Sequence, residues 1–162
     1  MKKIVLLSML IFFLTSCTSI ESSNLESIIN NSLSSNITTT NVNELGYSYY
    51  LPLGISIKKS SKFNEILTDQ KYYYYLYVDV VSFHNKVEFQ YNENKSSYYS
   101  AKIIKNDQLG YIEINNYKND QYLIEIMYNY AKIEVIVYES DINLSVAYAM
   151  AILSSITYND NV

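Results

Sequence analysis

From Tyr122 to Glu139 apolar and polar residues alternate, and this constrains the fold more than any other feature of the chain. Ile124, Ile126 and Tyr128, then Ile133, Val135 and Val137, share one side. Glu125, Lys132 and Glu134 share the other. A side-chain period of two means half-buried β-strands, because successive side chains point to opposite faces of a sheet. The segment predicts an antiparallel hairpin with its tip between Tyr128 and Ala131.

A second signal lies upstream. Lys71 to Phe83 is β-branched and aromatic throughout and reads as the longest strand. Its even positions (Tyr72, Tyr74, Leu76, Val78, Val80) are the more aliphatic and should meet the core. That leaves Tyr73, Tyr75, Tyr77 and Asp79 on the opposite face. Tyr47 to Leu51, Ile55 to Lys58, Val87 to Tyr91, Tyr98 to Ile104 and Tyr111 to Ile114 read as shorter strands. Pro52 and Gly54 interrupt the first two, and Asn- and Asp-rich turns separate the others. Phe63, Ile66 and Leu67 fit either one helical turn or part of a strand.

The period changes after Glu139. Ser140 or Asp141 can cap a helix running to about Ile156, with Ile142, Val146, Ala149, Met150, Leu153 and Ile156 on one stripe. It is too short and too rich in Ser to span a bilayer, and should lie across the sheet. The fold class is therefore α+β: an antiparallel meander with a C-terminal helix packed on one face, within a single domain at 46–162. The early Pro52-Leu53-Gly54 turn, the meander and a closing Ile152-Leu153-Ser154-Ser155-Ile156 resemble the PsbP-like fold. That resemblance covers roughly 46–158 and implies an α/β/α sandwich. It implies no functional residues.

The N-terminus carries an address. Lys2 and Lys3 precede an apolar run from Ile4 to Leu14, the length of a signal-peptide core. Leu14-Thr15-Ser16-Cys17 follows and resembles a bacterial lipobox. Residues 1–16 are then a removable signal, and Cys17 takes the lipid that anchors the chain to the outer face of a bacterial cell membrane. Residues 17–45 read as a lipidated N-terminus and polar tether. Leu25, Ile28, Ile29 and Leu33 recur there at helical spacing, so the segment fits either a short docking helix over about 22–33 or a disordered tether.

Charge and residue inventory narrow the function. Behind Cys17 stand 10 lysines and 16 acids, a net charge of −6 with no arginine, a poor composition for binding nucleic acid. Cys17 is the only cysteine, so the exported domain has neither a disulfide nor a catalytic thiol. One histidine, His84, cannot build a zinc site or a convincing nucleophilic triad, and three glycines cannot build a phosphate-cradling loop. No cofactor or metal is expected. Two functional readings survive. The leading one is a non-catalytic binding or assembly module for an envelope protein or glycan, with Tyr73, Tyr75 and Tyr77 as the ligand-binding face. The alternative is an envelope enzyme, such as a glycan hydrolase, using the paired carboxylates Asp79 and Glu88 that flank His84.

Overall fold

The computed structural model describes residues 22–35, 37, 39–105 and 108–159. The expected signal segment, Cys17 and residues 106–107, where a polar turn is expected, lie outside them. Helix α1 (Ser22–Ser34) leads into a small sheet, β1 (Val42–Glu44) and β2 (Tyr47–Tyr49). Then come β3 (Ser56–Ser61), β4 (Asn64–Thr68), β5 (Tyr73–Val78) and the short helix α2 (Val80–His84). The chain continues through β6 (Tyr99–Lys105), β7 (Gln108–Asn116), β8 (Gln121–Tyr128) and β9 (Ala131–Tyr138) to α3 (Ile142–Ser155) and β10 (Thr157–Tyr158). Seven strands form one antiparallel sheet in the order β3-β4-β5-β9-β8-β7-β6, and β1-β2-β10 form a second. The class is α+β, as the alternation and the final change of period predict.

The alternation in β8 and β9 sets the core. Ile124, Ile126, Ile133, Val135 and Val137 are fully buried, and the tip is the two-residue turn Asn129-Tyr130 with both φ angles positive, near +50° and +59°. Such a turn matches the twist of the strands it joins. Tyr74, Leu76 and Val78 continue the buried face onto β5, Leu67 onto β4, and Ile112 and Ile114 onto β7. Helix α3 lies across β8 and β9 and buries Ile142, Val146, Ala149, Met150 and Leu153. It also buries Ile152 and Ser155, whose hydroxyl accepts from the Tyr50 amide at 2.9 Å, and α1 packs on it and sends Leu25 and Ile29 into the same core.

The small sheet sits on this same side. Its β2 tyrosines are buried, and both hydroxyls reach the Glu65 carboxylate on β4: Tyr47 to Oε1 at 2.8 Å and Tyr49 to Oε2 at 2.6 Å. Glu65 is 2% exposed. Burial raises its pKa, and the two hydroxyls oppose that rise by donating to the charged form. No alternation rule exposes this clamp, since a glutamate within a strand reads as an outward residue.

Four expectations need correction. Strand β5 ends at Val78 and does not run to Phe83, because the Asp79 carboxylate accepts from the Ser82 amide at 2.9 Å and starts α2. Residues 87–91 are coil with no ladder partner. Neither Ser140 nor Asp141 caps α3 through its side chain; the Asp141 carboxylate instead accepts from Lys71 Nζ at 2.8 Å and Tyr72 Oη at 2.9 Å. An α/β/α sandwich needs helices on both faces. Here α1 and α3 share one, and among the described residues the opposite face carries only the coil of residues 85–98. Phe63, left open between helix and strand, occupies the β3–β4 turn at φ +63°, and Ile66 and Leu67 are in β4. Among the described residues no helix is long and apolar enough to cross a membrane.

Candidate functional site

Alternation along β5 fixes where its tyrosines go. With Tyr74, Leu76 and Val78 beneath the helices, Tyr73, Tyr75 and Tyr77 stand on the uncovered face, 44%, 53% and 43% exposed. The register supplies their neighbours. Tyr75 lies between Ile66 of β4 and Glu134 of β9, and Tyr77 between Asn64 and Lys132. Lys58 of β3 donates to the Tyr73 hydroxyl at 2.6 Å, with its ammonium 4.4 Å from the ring centroid.

A row of carboxylates crosses the middle of this face. Glu134, Glu125 and Glu113 are direct partners on β9, β8 and β7. Like charges opposite one another repel, so each needs a compensating partner. Lys132 Nζ lies 2.7 Å from Glu134 and 3.6 Å from Glu125. That hydrogen bond holds the Glu134 pKa below its usual range. Burial pulls Lys132 down, but the two glutamates outweigh it and its pKa rises. The Tyr111 hydroxyl donates to Glu125, and the Tyr91 hydroxyl donates to Glu113 at 2.8 Å. Burial and that glutamate push Tyr91 up to about 12.

The crossover from α2 to β6 covers the other half of the face. Phe89 and Tyr91 stack on Tyr111 with centroids 5.6 and 4.4 Å apart. The half around β5 and β9 stays bare, and its relief is a series of hollows. One of about 480 Å³ lies among Tyr73, Tyr75, Tyr117, Leu123, Ile136 and Tyr138. A second, about 500 Å³, lies among Lys59, Asn64, Ile66, Tyr75, Tyr77 and Glu134. Tyr75 and Glu134 form the ridge between them. A third, about 200 Å³, continues from Tyr77 and Lys132 to Phe89 and Met127.

Of the proposed catalytic pair, Asp79 caps α2 and borders the small third hollow. Glu88 is exposed on the crossover and, with His84, borders an adjoining cavity of about 520 Å³ that shares Phe89, Met127 and Tyr130 with the third hollow. The sequence had already placed Glu125, Lys132 and Glu134 on the polar side of their hairpin. It did not show that β9 pairs with β5, which sets that side next to the tyrosines. Among the described residues, no cluster of three or more His, Cys, Asp or Glu is placed to hold a metal ion.

Fold and face together define a class: an α+β domain with one sheet face covered by helices and, among the described residues, an uncovered aromatic strip on half of the other. No family model, curated protein or solved structure matches the chain.

Proposed function

We propose that this chain is a non-catalytic binding module, held at the outer face of a bacterial membrane by lipid on Cys17. Its tyrosine face engages an envelope protein or glycan. The observation that carries this reading is the bare aromatic strip: three neighbouring rings, each about half exposed, on a rigid central strand. Side chains packed only for stability lie under the helices on the other face. Exposed rings bordered by hollows and polar groups are what a recognition surface presents. The enzyme reading asks for two free convergent carboxylates, and the Asp79 carboxylate is already engaged by the Ser82 amide as the cap of α2.

The test is co-sedimentation of the purified mature chain with isolated cell envelopes. A variant carrying Tyr73→Ala, Tyr75→Ala and Tyr77→Ala should melt like the parent yet stay in the supernatant. Equal sedimentation of the two proteins would remove the tyrosine face from the function.

A further inference from the structure

The hydrogen-bond and charge inventory of the bare face selects among ligand classes. Strands β5 and β9 are each paired on both sides, so their backbone amides and carbonyls are consumed by the ladder. An extended peptide laid over Tyr75 and Glu134 would find no main-chain partners there. It would press unpaired amides against aromatic rings, which is costly. Peptides that join sheets do so at an open edge, and this strip is central.

Charge narrows the choice further. Two of the lysines around the strip are paired with carboxylates, Lys71 with Asp141 and Lys132 with Glu134 and Glu125. Lys58 donates to the neutral Tyr73 hydroxyl, and Lys59, at the second hollow, has no ion-pair partner among the described residues. An acidic polymer would find only Lys58 and Lys59 uncompensated, at the β3 margin, and would meet the carboxylate row of Glu134, Glu125 and Glu113 across the rest of the face. What remains are flat ring faces beside carboxylate and amide groups that accept or donate without a strong net field. A pyranose ring is the complement of this surface. Its C–H face covers a tyrosine, and its equatorial hydroxyls reach groups at the ring's edge. The strip from Tyr73 to Tyr77 spans about 13 Å along β5, longer than one sugar ring.

We infer that the occupant is an uncharged glycan chain lying across the two hollows that flank Tyr75, with one sugar ring on Tyr75 and hydroxyls donating to Glu134. The inference rests on the binding-face reading above and names its ligand. The probes are β-1,4-linked hexamers of N-acetylglucosamine and of glucose, and a β-1,4-linked mannose hexamer, with a galacturonate hexamer as the charged comparison. Each is titrated calorimetrically into the mature chain.

At least one neutral hexamer should bind, and the galacturonate hexamer should bind more weakly. Tyr75→Ala should weaken binding about tenfold, and Tyr75→Phe, which keeps the ring, less than about threefold. The thermal melt of each variant should match the parent, since Tyr75 is half exposed. Failure of all three neutral hexamers at millimolar concentration, or binding unchanged by Tyr75→Ala, overturns the glycan assignment. If the triple variant has meanwhile lost envelope association, the binding face stands and only its ligand is wrong. If it has not, both readings fall.

Discussion

Tyr49→Phe removes one oxygen from the core and leaves every ring contact in place. The lost hydroxyl is the sole donor to Glu65 Oε2 among the described residues, at 2.6 Å, and both side chains are sealed from water. A hydrogen bond to a charged group is worth about 1.5–3 kcal/mol, and an abandoned buried acceptor sits at the upper end. The variant should lose about 2 kcal/mol at pH 7, or roughly 5–10 °C in melting temperature for a domain of this size. Acid should shrink that loss. The Glu65 pKa is raised by burial, so the folded state holds its proton to higher pH than the unfolded chain does. The penalty of the buried charge is therefore present above the folded pKa and relieved as pH falls through it toward the unfolded value. Once protonated, Glu65 no longer makes a charge-assisted bond for the mutation to break. Asp141 and Glu134 act in the opposite sense. Their lowered pKa values give stability that is lost only at more acid pH, below their ordinary values. Urea melts of the parent, Tyr49→Phe and Glu65→Gln at pH 7 and pH 5 separate these contributions. Glu65→Gln should flatten the dependence between the two pH values. A Tyr49→Phe protein as stable as Tyr75→Phe at pH 7 would refute the clamp.

Val135→Ala, at a fully buried site on the central seam, should cost about 1–3 kcal/mol in a denaturant melt, while Glu134→Ala beside it should cost under about 1 kcal/mol. Leu153→Asp would bury an unpaired carboxylate between α3 and the sheet and should abolish cooperative unfolding, whereas Leu144→Asp, at a position 52% exposed, should leave a folded protein by circular dichroism. Cys17→Ala should abolish labelling by radioactive palmitate in the producing cell, and label that persists would remove the lipid anchor.

The strands and the closing helix were legible because each buries one face, and burial writes its period into the sequence. Tyr73, Tyr75 and Tyr77 were placed on the open face by the same logic. Residues 87–91 misled because aromatic side chains favour strands and stacked coils alike. Phe89 and Tyr91 are held by their rings on Tyr111 and by no ladder, so they carry strand composition without strand structure. Beyond the β8–β9 hairpin, strand pairing was not legible. Nothing in either segment states that Tyr75 meets Glu134, because many pairings satisfy the same alternation. The Glu65 clamp stayed hidden for a related reason: a charged residue looks solvated until its donors, far off in sequence, are known.

The pairing of β2 with β10 has a consequence for the order in which the molecule forms. Ser48 and Thr157 share a hydrogen bond at 2.9 Å across 109 residues of sequence, and the Asn159 amide donates to the Gly46 carbonyl across a slightly longer stretch, so this pairing closes one of the wide loops of the fold. Hairpins such as β8–β9 can form as soon as their own residues are free. The β1–β2 hairpin lacks its flanking strand until residues 157–158 arrive, and α1 lacks α3 until the same late stage. A chain emerging N-terminus first, from a ribosome or through a membrane pore, thus keeps α1 and β2 without their partners until residues 142–158 have passed. The last strand of the fold closes its first part, and native assembly waits for β10 to arrive.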